Sequence, residues 1–114
     1  MELITFGASD GYRSREYGST GFTVTPLARV TGSVVCLRLE RGGTIGRHPA
    51  VGRQLLVVVS GSGTVSNGDG AVVPISTGQA AFWTPGEEHE TRSVNGLTAI
   101  VVEGPSVELL LPRG

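Results

Sequence analysis

Residues 42–63 read GGTIGRHPAVGRQLLVVVSGSG. The stretch places His48 six residues before Gln54, and the continuous apolar run over 55–59 is followed by a glycine-rich bend over 60–63. A valine-rich run that is apolar on both faces is typical of a β-strand covered on both sides. We therefore expect this run to be the most buried strand of a sheet protein.

The composition extends this interpretation to the whole chain of 114 residues, a length that fits one domain. There are 18 glycines and 6 prolines, with 39% apolar and 17% charged residues, which favours strands and turns and argues against disorder. Residues 66–70 (Ser-Asn-Gly-Asp-Gly) are a strong hairpin signal, and Asn95-Gly96 is another. Short strands separated by glycine-rich turns indicate an all-β sandwich or barrel.

A second motif follows the first, with Gly78, Pro85-Gly86 and His89 at fixed spacings. Together the two motifs resemble those of the cupin family, over roughly the central half of the chain. The resemblance implies a cupin-like jelly-roll β-barrel, also called a double-stranded β-helix. In that family the first motif supplies two histidines and a Glu or Gln, and the second supplies a third histidine, so that four groups hold one metal ion inside the barrel.

Mapped onto this sequence, the resemblance implies that His48, Gln54 and His89 are the metal ligands. Ala50 stands where the second histidine would fall; alternatively His48 is that second histidine, and Gly46 takes the place of the first. The implied cofactor is a divalent transition metal (Zn, Fe, Mn, Ni or Cu), or none. Because the three donors are neutral, we expect weak and exchangeable binding.

Strand parity extends the site to side chains that would line the barrel cavity. Gln54 shares a face with residues 56 and 58, and His89 shares one with residues 87, 91 and 93. The turn at 85–86 makes parity unreliable for residue 87, which could instead lie in a solvated loop. Residues 82 and 83 are adjacent in one strand, so one of them faces the cavity and the other covers the outer sheet. The cavity candidates are Leu56, Val58, Phe82, Trp83, Glu87, Thr91 and Ser93.

Charge and segment patterns predict the partners. A formal net charge of −1 without clustered basic residues argues against nucleic acid or a membrane surface as partner. No run approaches ~18 apolar residues and no signal peptide is recognisable, so a cytoplasmic location is the simplest expectation. The lone Cys36 is expected to fill the core. We predict an irregular N-terminal arm over 1–21, one barrel domain over 22–114, and a homodimer formed through the outer sheet and the arm.

Three functions are compatible with these patterns. The first is a small cupin that binds a divalent metal and acts on, or senses, a small organic ligand; as an enzyme it would be a dioxygenase, isomerase or decarboxylase, which the resemblance allows. The second is a metal-free small-molecule-binding or structural barrel. The third is metal-free acid–base catalysis by His48 and His89.

Overall fold

The computed structural model describes residues 1–111, apart from the side chain of Ala8, and these residues are mostly strand. Residues 112–114, the end of the predicted barrel domain, lie outside the described residues. Within residues 1–111, no helix is long and apolar enough to cross a lipid bilayer. The ten strands are β1 (Glu2–Thr5), β2 (Tyr12–Ser14), β3 (Phe22–Val24), β4 (Ala28–Leu39), β5 (Thr44–Pro49), β6 (Arg53–Ser66), β7 (Val72–Ser76), β8 (Gln79–Trp83), β9 (Glu88–Arg92) and β10 (Leu97–Leu109); the short 3-10 helices are Ala8–Asp10 and Glu16–Gly18.

Eight of these strands form a jelly-roll β-barrel with two antiparallel layers, while β2 and β3 pair with each other in a separate two-stranded sheet. One layer has the order β1-β8-β6-β10-β4, and the other contains β5, β9, the second half of β6, and β7. Strand β6 belongs to both, since residues 54–57 pair with β8 and residues 62–66 pair with β7. It bends at Gly61, whose φ of +88° suits glycine, and where an added Cβ would collide with the carbonyl oxygen of Gly96. The bend predicted at residues 60–63 therefore lies inside one long strand.

The first core cluster fills the space between the two layers. Side chains from both layers contribute to it, as expected where alternate residues of each strand point inward. The valine-rich run is buried over 55–58, as predicted, whereas Val59 is 48% exposed. The members of this inner cluster are Ala50, Leu56, Val58, Val65, Ile75, Ala81, Trp83, Leu97, Ala99 and Val101.

A second cluster covers the outer face of the β8-β6-β10 layer. The ends of β4 and β10 reach this face because their ladder shifts register between Glu103 and Ser106. Gly32 and Gly104 lie back to back at this shift, and a Cβ on either would meet the backbone of the opposite strand. The chain thus covers much of its own outer sheet. The members of this outer cluster are Ile4, Leu55, Val57, Ala80, Phe82, Val107 and Leu111.

The structure corrects two predictions about the ends of the sheet. The arm over 1–21 was expected to be irregular, but Glu2–Thr5 pairs with β8, and Ile4 is buried in the outer cluster. The sequence of this strand, Glu-Leu-Ile-Thr, has two adjacent apolar residues and does not alternate, so it carries no recognisable strand pattern. Cys36 was expected in the core, but it is exposed on β4, the strand that ends the larger layer. An edge strand has a neighbour on one side only, so its alternation overstates burial.

Candidate metal and ligand site

The two histidines of the chain are brought together by the pairing of β5 with β9. His48 and His89 are directly opposite each other in the ladder, and their ring centroids lie 4.4 Å apart at an interplanar angle of 58°. His89 is buried at 3% exposure, whereas His48 is exposed. One imidazole therefore belongs to the barrel interior, and the other stands between it and solvent.

Backbone carbonyls orient both rings in the same way. The Nδ1–H of His48 donates to the carbonyl oxygen of Gly46 at 2.7 Å, and the Nδ1–H of His89 donates to that of Glu87 at 3.2 Å. In a neutral imidazole this leaves the lone pair on Nε2. The Nε2 of His89 is buried and has no hydrogen-bond partner among residues 1–111.

Trp83, on the larger layer, contacts the buried histidine, and Gln54 lies beside Trp83. The indole ring stacks on the ring of His89 with centroids 4.4 Å apart and an interplanar angle of 24°. Gln54 is directly opposite Trp83 in the β6–β8 ladder, so both side chains point to the interior face. The Oε1 of Gln54 and the Nε1 of Trp83 are also buried without a partner in the described part of the chain. Three orphaned polar atoms therefore belong to neighbouring side chains.

Sequence reasoning missed a carboxylate on the other side of Gln54. Glu103 on β10 is directly opposite Gln54, and Ser33 on β4 is directly opposite Glu103. Four polar side chains thus form one row across the inner face of the layer. Glu103 is half-buried. The alternation of Leu97, Ala99 and Val101 continues to position 103, and a carboxylate at the end of such an inward series was the available signal.

The environment of His89 favours its neutral form. Burial lowers the pKa of His89, and the Glu87 backbone carbonyl and the carboxylates of Glu103 and Glu87 offset only part of this effect. His48 acts in the same direction as burial, because two cationic imidazoles would repel each other. A neutral imidazole keeps the Nε2 lone pair that a metal ion or a ligand donor requires.

The Glu87 carboxylate is engaged with other groups. Its Oε1 accepts from the backbone N–H and the hydroxyl of Thr84, each at 2.9 Å, and its Oε2 pairs with the Met1 ammonium at 2.7 Å. Burial by itself would raise the pKa of Glu87, but these contacts outweigh it and lower the pKa. The carboxylate thereby holds the turn before β9, and the backbone carbonyl of Glu87 orients His89.

The remaining cavity candidates divide between the two faces. Leu56, Val58 and Thr91 are buried on the inner side, with Leu56 and Val58 in the inner cluster. Phe82 was included among the cavity residues, but it packs in the outer cluster, because its neighbour Trp83 takes the inward position. The hydroxyl of Ser93 is buried in a turn, where it donates to the carbonyl oxygen of Ser62 and accepts from the Gly96 N–H.

The donor set fits a metal ion only in part. No three His, Cys, Asp or Glu side chains within residues 1–111 are grouped so that they could hold an ion. The available donors are instead two imidazoles and one amide oxygen. Imidazole suits Zn, Cu, Fe and Ni, while a neutral amide is a weaker ligand than a carboxylate. The site therefore offers donors that suit Zn, Cu, Fe or Ni, but none of these donors is charged.

Comparison with known proteins agrees with this fold. The family model described as the cupin domain matches residues 35–104, more than half of the chain. The chain therefore belongs to the cupin family. No functionally curated protein is significantly similar in sequence.

Solved structures of the same fold are numerous. A predicted oxalate decarboxylase from Thermotoga maritima is 26% identical, with a TM-score of 0.57 over 73% of this chain and 68% of that one. A protein from Neisseria meningitidis is also 26% identical, with a TM-score of 0.54 over 67% of this chain and 71% of that one. An RmlC-like cupin from Shewanella frigidimarina is 20% identical, with a TM-score of 0.60 over 74% and 71% of the two chains, and shows the fold alone.

Proposed function

We propose that this cupin binds one divalent transition-metal ion weakly through Nε2 of His48, Nε2 of His89 and Oε1 of Gln54. A small organic molecule completes the coordination of the ion. The observation that carries the proposal is the common orientation of the two imidazoles. Each donates its Nδ1–H to a backbone carbonyl, the arrangement usual for histidines that bind metal, and each therefore presents Nε2.

The burial of the free donors supports the same site. A buried polar atom without a partner costs about 1–3 kcal/mol, so such atoms usually serve a ligand or an ion. The Nε2 of His89 and the Oε1 of Gln54 both accept, which suits a Lewis acid. The spacing of the two histidine rings is compatible with a single ion that binds both Nε2 atoms at about 2.0–2.1 Å.

The neutral ligands explain why binding should be weak. The ion would keep its full charge in the first shell, and the nearest interior carboxylate is Glu103, beside Gln54. When bound, the ion would supply Lewis-acid polarisation of a ligand oxygen. His89 would donate the lone pair of Nε2 to the ion, and Trp83 would shield the imidazole ring from water by stacking on it.

The enzymatic part of the proposal is a metal-dependent reaction of a small molecule, as a dioxygenase, isomerase or decarboxylase. One structure of the same fold at 26% identity is described as a predicted oxalate decarboxylase, which places decarboxylation among the activities to assay first. The alternative function is metal-free binding of a small molecule, since the same orphaned atoms can bond a ligand directly.

The single tryptophan of the chain makes the metal proposal testable. Trp83 stacks on His89, so Ni²⁺ bound there should quench its fluorescence saturably at one ion per chain, with recovery on adding EDTA. His48→Gln and His89→Gln should each abolish this quenching. Glu90→Gln is the matched control, because Glu90 is on the same strand as His89 with the opposite parity. Saturable quenching that survives both histidine variants would refute the site, and no Ni²⁺ binding by calorimetry would favour the metal-free alternative.

A further inference from the structure

The row of four polar side chains on the inner face has a direction. Trp83 offers only a hydrogen-bond donor, Gln54 lies in the middle, and Glu103 offers only acceptors when ionised. Directly opposite residues on neighbouring strands present their side chains to the same face, so these groups line one surface. The fourth member, Ser33, lies beyond Glu103 and is exposed, so Trp83 and Glu103 are the two ends of the part of the row that is not exposed. These two ends require opposite hydrogen-bonding groups from a molecule that lies across them.

The donor end, Trp83, has the stronger need for a ligand group. Trp83 has no exposed surface, and its indole N–H is buried without an acceptor among residues 1–111. Folding thus leaves a donor that lost its water and gained no protein partner. A ligand oxygen is the group that would satisfy it, and a carboxylate oxygen would do so best, because charge-assisted hydrogen bonds are the stronger ones.

The acceptor end selects a second group. An ionised Glu103 repels another carboxylate and accepts from a hydroxyl. Trp83 and Glu103 are separated by one intervening strand, which corresponds to roughly 9–10 Å between their backbones. A molecule that bonds to both ends must span this separation across Gln54, which suits a length of a few heavy atoms.

We infer that the organic ligand is a small hydroxy acid, whose carboxylate accepts from the Trp83 indole N–H and whose hydroxyl donates to Glu103. This assignment rests on the proposed function for the presence of an organic ligand. It does not depend on the ion, because Trp83 and Glu103 are not among the proposed metal ligands. Trp83 and Glu103 are then the specificity-determining residues of the site.

Three probes of equal carbon number test the two ends separately. Lactate carries both groups, propionate lacks the hydroxyl, and propylene glycol lacks the carboxylate. Calorimetric titrations with and without Zn²⁺ should show lactate binding about tenfold or more tightly than either of the others, because each loses one hydrogen bond to a buried or charged group. Lactate binding in the zinc-free protein would support the roles of Trp83 and Glu103 even if the ion does not bind.

Two variants separate the roles. Trp83→Phe keeps an aromatic ring on His89 and removes the N–H; it should weaken lactate and propionate about tenfold and leave propylene glycol unchanged. Glu103→Gln keeps the shape and removes the charge; it should weaken lactate and propylene glycol and leave propionate unchanged or tighter. Should Trp83→Phe fail to fold, the Glu103→Gln pattern decides alone. Equal affinity for the three probes, no binding of lactate in either metal state, or uniform loss across the probes in Glu103→Gln would overturn the inference.

Discussion

Replacing Gln54 by Glu should destabilise the metal-free protein but leave the stability of the metal-bound protein nearly unchanged. Gln54 is 7% exposed and directly opposite Glu103, and opposite residues in a ladder have Cβ atoms about 4.5–5.5 Å apart. Two carboxylates at about that separation repel by roughly 3 kcal/mol at an effective dielectric constant of about 20. Because Glu103 is only half-buried, we reduce this to about 1–2 kcal/mol.

Metal-free Gln54→Glu should therefore unfold about 1–2 kcal/mol more easily than the parent protein at pH 8, and burial of the new charge adds to the loss. With an ion bound, the carboxylate becomes a charged ligand instead. If the variant binds the ion ten times more tightly, binding stabilises it by about 1.4 kcal/mol more than it stabilises the parent protein, provided that the ion concentration is well above both dissociation constants. The two proteins should then be nearly equal in stability with Zn²⁺ and clearly different with EDTA.

Urea unfolding in the two buffers measures both effects, and zinc calorimetry measures the affinity directly. The matched control is Gln79→Glu, because Gln79 is the other glutamine of the chain and lies near the surface, hydrogen-bonded to Ser76 and Thr5. A metal-free Gln54→Glu protein as stable as the parent would refute the placement of Gln54 beside Glu103. Unchanged zinc affinity would refute Gln54 as a ligand.

Three further predictions concern the barrel itself. Since burial lowers the pKa of His89, the stability that its neutral form contributes is complete above the unfolded value, near ~6.5, and is lost as the pH falls below it; urea unfolding from pH 8 to 5 should show this loss, and His89→Gln should reduce it. Gly61→Ala should destabilise by more than about 2 kcal/mol, because strain at φ +88° adds to a backbone collision, whereas Gly70→Ala at φ +84° has open space and should cost about 1 kcal/mol; equal losses in thermal unfolding would contradict the collision. The predicted homodimer should form through the outer sheet and the arm; Val34, opposite Val102 on the outer face of β4, is 64% exposed, so light scattering should show a dimer that Val34→Lys weakens, and a monomeric parent protein at high micromolar concentration would reject it.

The sequence alone predicts the part of this protein that depends on neighbours along the chain. Alternation with a period of two places Thr91 and His89 on one side of β9, and the short, valine-rich apolar run 55–58 between glycine-containing segments favours a buried strand. The motif spacings added the pairing of His48 with His89, because the resemblance to cupins carries information about which strands meet. The same alternation showed that Phe82 and Trp83 diverge, without deciding which of them faces inward.

Only the tertiary structure decided what lies across the strands. Glu103 is far from Gln54 in sequence, and the sequence of neither strand indicates that β10 and β6 are neighbours in this register. A shift of one residue would turn Glu103 outward, so its place in the site depends on the packing of both core clusters against the ladder. The stacking of Trp83 on His89, which joins one layer to the other, follows from the same long-range packing, and so does the exposure of Cys36 on an edge that local pattern cannot distinguish from a central strand.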